Sequence, residues 1–263
     1  MRFVIGFFTV VALLIVGFLV APSFIDVSKY KDQGLAQVKA FTGYEVTIDG
    51  DFSFGILPSP HVKAEQVAIV NPAVSAEAFA SFDALSVSVN LMPLLSKRVE
   101  VSEVTLVKPD IRLATDKDGK GNWISPEIEV MSAGKADKPK AGGAAPEVSF
   151  DRITIKDGAF AFDKTEISNI NLKVKAKSLQ GPFDASGALV FGGQDVVFDA
   201  KSGVLDAAGK RIALNANAKY GDIDAKFEGS VDYGALAVEG GVEASAFGAD
   251  IAGDLLADAK KVR

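Results

Sequence analysis

The sequence predicts a mainly β protein that begins with a membrane-spanning helix and one amphipathic helix. Three observations carry this. An uncharged apolar run opens the chain, one stretch of helical periodicity follows, and from Tyr44 onward apolar and polar residues alternate with period two. Composition limits what such a fold could do. The chain has 263 residues, 48% of them hydrophobic, which is enough for a sizeable core. A net charge of −6 gives no basic footprint, so nucleic acid is excluded as a partner. There is no cysteine, which excludes disulfide scaffolds, thiolate zinc sites and thiol catalysis. The single histidine, His61, excludes sites that need two or three imidazoles from one chain.

Residues 1–22 read as the anchor. The nineteen residues from Phe3 to Ala21, including Phe7, Leu14 and Phe18, carry no charge, and as a helix they reach about 28 Å, close to the hydrocarbon thickness of a bilayer. The run exceeds the usual core of a cleaved leader, no small-x-small cleavage site follows it, and Pro22 stands directly behind it, so the reading is an uncleaved signal anchor. Arg2 precedes the span and Asp26 is the first charge after it, which places the N-terminus in the cytoplasm and the bulk of the chain outside. Residues 23–43 read as the amphipathic helix. Val27, Tyr30, Gly34, Val38 and Phe41 fall on one stripe, Ser23 serves as N-cap and Gly43 as the terminating glycine.

Strands fill residues 44–131 and 147–263. Leu85, Val87, Val89 and Leu91 alternate with Ser86, Ser88 and Asn90, giving one dry face and one wet face. The pattern recurs over Ile170–Ala176, Ile212–Ala218 and Ile223–Phe227, punctuated by Asp49-Gly50, Asp118-Gly119, Asp157-Gly158 and Gly192-Gly193, which predicts antiparallel, meander-like β structure. An internal repeat lies within it: "VTLVKPDIRL" (Val104 to Leu113) aligns with "ITIKDGAFAF" (Ile153 to Phe162). In each copy the apolar positions change parity halfway, from Val104 and Leu106 to Ile111 and Leu113, and from Ile153 and Ile155 to Phe160 and Phe162. A parity change keeps one face apolar only where a residue is inserted. Pro109 and Gly158 sit at the two changes and are what a bulge tolerates. Between the copies, residues 132–146 ("SAGKADKPKAGGAAP") lack large apolar side chains and read as a flexible linker.

Chemical motifs are sparse. Asp116, Asp118 and Glu127 imitate part of a calcium loop, but Gly119 and Lys120 occupy the wrong places and no flanking helices are predicted, so no metal site is assigned. The stretch instead reads as a hairpin end, with Gly119 and Asn122 turning the chain and Trp123 closing its apolar edge. His61 has no serine or carboxylate partner by spacing, and GxSxG, Walker A and GxGxxG elements are absent from the sequence. The reading is a non-enzyme without a cofactor.

Taken in order, the anchor, a helix ending "FTGYEVTIDGDFSF", then "LPSPHVKAEQVAIVNP", "MPLL" (Met92 to Leu95), "KPDIRL", the Asp116-x-x-Gly119-x-x-Asn122-Trp123 element and "VSFDRITIKDGAFAFD" are similar to the N-terminal region of the AsmA family of bacterial envelope proteins, from about Met1 to Asp254. The resemblance implies a protein held in the inner membrane with its bulk in the periplasm, similar to the repeating β-groove lipid-transfer proteins and engaged in phospholipid traffic to the outer membrane. It implies a long curved antiparallel sheet forming an open, lipid-lined groove. From the residues alone a closed β-sandwich fits as well, although 25 glycines favour bending over a dense core. Stacking about 14 strands at roughly 4.8 Å gives a trough on the order of 65 Å. In the groove, Leu85, Val87, Val89, Leu91, Leu106, Ile111, Ile155 and Phe160 face acyl chains. The implied partners are phospholipid acyl chains, the inner membrane, and outer-membrane or periplasmic proteins. Family members continue into a long C-terminal region where this sequence stops at "LLADAKKVR", so the expectation is one segment of a conduit. The alternative is a noncatalytic periplasmic scaffold or assembly factor for outer-membrane proteins.

Overall fold

The computed structural model describes residues 27–55, 59–95, 100–117, 119–132, 150–176, 178, 180–205, 210–232, 237–246 and 249–258. The anchor residues Phe3, Phe7, Leu14, Phe18 and Ala21, and nearly all of the expected linker, lie outside them. Among the described residues no helix is long and apolar enough to cross a membrane. The amphipathic helix α1 runs over Val27–Thr42. Gly43 follows it at φ +73°, where its N–H donates to the Lys39 carbonyl and closes the last turn.

Fourteen strands form one sheet. They are β1 (Glu45–Ile48), β2 (Phe52–Gly55), β3 (His61–Val70), β4 (Ala78–Val89), β5 (Val101–Val107), β6 (Asp110–Leu113), β7 (Phe150–Phe162), β8 (Thr165–Ala176), β9 (Phe183–Phe191), β10 (Gln194–Ser202), β11 (Arg211–Tyr220), β12 (Ile223–Asp232), β13 (Ala237–Ala246) and β14 (Ala249–Asp258). From β7 to β14 it is an antiparallel meander, each strand pairing with the next. Two pairs of strands lie end to end: β1 and β2 along β3, β5 and β6 along β7. The sheet is therefore narrower than fourteen rows side by side would be, on the order of 50 Å at about 4.8 Å per row.

The antiparallel expectation needs one correction. β5 and β6 pair with β7 in parallel, Val104 beside Ile153, Leu106 beside Ile155, Ile111 beside Phe160 and Leu113 beside Phe162. These are the matching positions of the internal repeat, so the two copies lie side by side with like residues in register. Parallel neighbours need a long connection, and residues 114–149 supply it.

The parity changes form a seam across the sheet. Lys108 (φ +45°) and Asp157 (φ +53°), equivalent in the repeat, are the extra residues in β5–β6 and β7. Gln66 in β3 (φ +51°), one strand beyond β4, and Asn169 in β8 (φ +51°), next to β7, are the same device, and the register between β7 and β8 shifts there. At the edge the seam continues into the break between β1 and β2, where the Asp49 and Gly50 N–H groups donate to the Gln66 and Glu65 carbonyls. On the wet face, Lys108 Nζ lies 2.9 Å from Asp83 Oδ2, a pairing that raises the Lys108 pKa. Asn171 brackets Asp157 from the next strand, its Oδ1 accepting from the Asp157 N–H at 3.2 Å.

Two short helices complete the described fold, α2 (Leu91–Leu95) and α3 (Pro126–Ser132). The first corrects the reading of Leu91 as a strand residue facing a groove: the strand stops at Val89, and Leu91 lies in α2, 48% exposed. Asn90 is a favourable N-cap, and Pro93 fits a first helical turn, where its missing N–H has no partner to lose.

Because an L side chain at positive φ costs about 1–2 kcal/mol, Lys108→Gly is expected to leave the melting temperature unchanged or raise it, the exposed pair with Asp83 contributing little. Lys108→Val is expected to destabilise by about 1–2 kcal/mol in chemical denaturation, since a branched Cβ fits that conformation worst.

Candidate functional site

At the start of the sheet the apolar face is closed. Val38 of α1 is completely buried in one apolar cluster with Val46, Leu85, Val87, Val104 and Leu106, and Leu35 of α1 and Ile128 of α3 pack against that cluster. Hydrogen bonds lock these pieces together. The buried Ser125 hydroxyl donates to the Thr42 carbonyl at the end of α1 and accepts the Ile128 N–H, so one side chain ends one helix and begins another. The Tyr44 hydroxyl donates to the Trp123 carbonyl, and the buried Asn71 side chain donates to the Asn122 carbonyl at 3.0 Å. Asn122 itself bonds β6 from its side chain, donating to the Arg112 carbonyl at 2.9 Å and accepting the Ala114 N–H at 3.2 Å. The Trp123 ring stands 5.8 Å from Phe162 at the end of β7 and covers the bare Cα of Gly121, where a Cβ would strike the indole at 2.4 Å.

The Asp116–Trp123 element is thus a clamp at one end of the sheet. Gly119 (φ +78°) turns its loop, and Asp116 Oδ1 accepts the Lys120 N–H at 2.8 Å. Pro109 and Gly158 lie against one another at the seam, a Cβ on Gly158 meeting the Pro109 ring at 3.0 Å. The sequence pointed to Asn122 and Trp123 but not to Tyr44, Asn71, Gly121 or Ser125. His61 is half-buried, its Nδ1 2.8 Å from the Ser59 carbonyl. Among the described residues no three acidic, cysteine or histidine side chains converge on a common point.

Beyond the clamp the apolar face opens by degrees. Register partners share a face, so the pairings trace rungs across the sheet. One passes through Val87, Val104, Ile153, Val174, Ala185, Ala200, Ala216, Phe227 and Val242. The next passes through Leu85, Leu106, Ile155, Leu172, Gly187, Phe198, Ala218, Ala225, Ala244 and Ile251. At the head of these rungs Leu85, Val87, Val104 and Leu106 are 7% exposed or less. From β8 to β13 their partners are only half-buried, and Ile251 in β14 is 70% exposed. Beyond Ala176 no described apolar side chain is fully buried.

The eight residues expected to face lipid divide accordingly. Leu85, Val87, Val89 and Leu106 sit in the closed core, Ile111 and Ile155 at its margin, Phe160 on the half-buried face, and Leu91 off the sheet in α2. The residues best placed to meet an apolar ligand are ones the sequence did not single out: Leu172, Phe198, Ala216, Phe227 and Val242. Their signal was present in the alternation of β8–β13.

The wet face is self-satisfied. A depression of about 890 Å³ lies across β9–β14, lined by Phe198, Ala218, Ala225, Ala244 and Ile251 of the second rung as well as by Asp199, Asn217, Lys219, Asp224, Lys226 and Glu243. The polar groups pair with one another: Asn217 donates to Asp199 at 2.9 Å, and Lys219–Asp224 and Lys226–Glu243 stand 3.6 and 3.8 Å apart. Exposed pairs of this kind offer a ligand little that water does not.

Comparison with known proteins follows the same line. The family model described as AsmA family matches residues 3–230. Protein AsmA of Escherichia coli (strain K12) is 21% identical over 221 residues, which cover 79% of this chain and 34% of that protein. The chain spans about a third of the length of that relative. No solved structure matches.

The clamp predicts a pH dependence. Burial pushes the Tyr44 phenol up to about 12 from its ordinary 10, so the folded state holds the proton more tightly than the unfolded one. The resulting stability is fully present below pH 10 and is lost as pH rises towards 12. Denaturant unfolding across that window should show a slope that Tyr44→Phe reduces. In the closed core, Val89→Asp buries an unpaired carboxylate and should destabilise by several kcal/mol.

Proposed function

The chain belongs to the AsmA family, and from that premise we propose that it is an inner-membrane-anchored periplasmic protein that binds phospholipid and contributes to its transport towards the outer membrane. The observation that carries this is the pair of apolar rungs, continuous from β4 to β13 and half-exposed from β8 onward. A contiguous apolar strip on a folded surface calls for an apolar partner. Acyl chains lie along Leu172, Phe198, Ala216, Phe227 and Val242, and head groups stay at the wet margins. The curved, open form of the sheet is part of this proposal.

Glycine shapes that surface. Gly229 and Gly240 are paired across β12 and β13, and a Cβ on either would fall within 2.6 Å of the other's Cα. Phe227 lies over the pair, within 2.9 Å of both missing Cβ positions. The strands approach closely there, and the aromatic ring fills what the glycines leave open. The work proposed is noncatalytic and needs no cofactor: lipid is held by burial of its chains, at about 25 cal/mol per Å² of apolar surface removed from water.

The scaffold alternative has one observation in its favour. β14 pairs only with β13 among the described residues, and it carries Ile251 and Leu256 at 70% and 76% exposure. A free edge with apolar side chains is a template for another strand.

Lipid identified by mass spectrometry in the purified full chain decides between them. Phe198→Asp and Ala216→Asp should cut bound phospholipid by at least about fivefold, through a carboxylate set against acyl chains. Asn215→Asp, one residue from Ala216 on the wet face, should leave it unchanged. Wild-type lipid content in folded Phe198→Asp and Ala216→Asp proteins, or no lipid in any of them, would leave the scaffold reading in its place.

A further inference from the structure

One end of the sheet carries exposed apolar side chains that the closed core does not cover. Gly55 at the end of β2 is opposite His61 at the start of β3, which is opposite Ser88 in β4. The Val89 N–H donates to the Pro60 carbonyl, so the end of β2, the start of β3 and the entry to α2 share this end. Here Phe54 is 43% exposed, Leu91 48% and Met92 75%. Phe54 is the outermost residue of an apolar rung, opposite Val62, which is opposite Val87.

The path of the chain points the same end towards the N-terminal span. α1 runs antiparallel to β1: its last residue, Thr42, is tied to the clamp at the opposite end, while Lys31 near its start reaches the Ile48 carbonyl at 3.5 Å. Its N-terminus is therefore directed to the end where Phe54, Leu91 and Met92 stand. Between Ala21 and Val27 lie five residues, 22–26, which even fully extended reach about 17 Å. The row of Ile48 is opposite Val67 and the row of Gly55 opposite His61, six residues along β3, or about 20 Å. The first turn of α1 covers about 6 Å of that distance. The tether cannot hold this end far from whatever surface the span enters.

We infer that Phe54, Leu91 and Met92 form a contact tip that rests in the interface of the bilayer holding the N-terminal span. The inference depends on the anchoring part of the proposed function. The occupant is a lipid surface rather than a protein because a membrane is what the tether brings within reach, and exposed apolar side chains grouped at one end of the sheet can sink about 5–10 Å into the headgroup boundary, as the apolar face of an interfacial helix does. The consequence for the site is geometric. The tip sets Phe54, the head of the Val87 rung, against the membrane, so that rung starts at the bilayer.

The chain has no cysteine, so single cysteines report without background. The full chain, with Phe54→Cys, Leu91→Cys, Met92→Cys, Val197→Cys or Leu256→Cys, is labelled with an environment-sensitive fluorophore. It is then reconstituted into phosphatidylethanolamine–phosphatidylglycerol vesicles containing lipid brominated high on the acyl chain. The inference expects emission at positions 54, 91 and 92 to fall by about half, as for groups at interface depth, and emission at 197 and 256 to stay unchanged. Flotation with the vesicles is measured on the same samples. A chain that does not float overturns the anchoring and this inference with it. A chain that floats while 54, 91 and 92 are quenched no more than 256 overturns this inference alone. So does dipolar coupling between spin labels at position 92 of two copies, which would make the tip a self-association surface.

Discussion

One extra residue in each of β3, β5–β6, β7 and β8, aligned from Gln66 through Lys108 and Asp157 to Asn169, is the constraint on which the rest of the structure depends. Without it, a strand as long as β7 would show its second half with the wrong face inward, since side-chain parity is fixed at two. With it, Phe160 and Phe162 lie on the same side as Ile153 and Ile155, and β5 and β6 are held beside β7 as one interrupted strand. Each bulge also adds local twist and bend. Bulges aligned across neighbouring strands add their bends in one place, whereas scattered ones would distort the sheet piecemeal.

The two ends of the sheet behave differently because their cover differs. At the head, α1 and α3 lie over the apolar face and the clamp fixes them with bonds from Ser125, Tyr44 and Asn122. Burial of each Val or Leu there contributes about 1.5–3 kcal/mol, so this end supplies much of the fold's stability. From β8 onward no helix covers the face among the described residues, and the half-buried side chains hold less of their surface out of water. An apolar ligand adds to stability there without having to displace a packed layer. On the proposed function, folding and binding fall to different stretches of the same rungs.

How much of this was legible depended on how local the signal was. Alternation over Ile170–Ala176 and Ile212–Ala218 named the strands of the meander, and the repeat of Val104–Leu113 in Ile153–Phe162 marked both bulges, because a parity change is visible in ten residues. The parallel pairing of the copies was not, since an internal repeat fixes likeness and leaves relative direction open. Leu91 was misread because the alternation runs through Asn90 without a break, and only Pro93 hints at the helix. Leu85, Val87 and Val89 were recognised as a dry face, but period two does not say whether a helix or a ligand will cover that face. The clamp joins residues 51 to 83 positions apart, a separation across which neither spacing nor propensity carries information.

The central claim is that the half-exposed rungs of β8–β13 hold acyl chains while the head does not. A photo-crosslinking amino acid placed at Val174, Phe198 and Val242 on the apolar face, at Asp199 and Glu243 on the wet face, and at Val87 in the closed core tests it most directly when cells are irradiated and the purified chain is weighed. The account predicts phospholipid-mass adducts at the first three positions and none at the others. Adducts that form equally on both faces, or at none of the six positions, would contradict it.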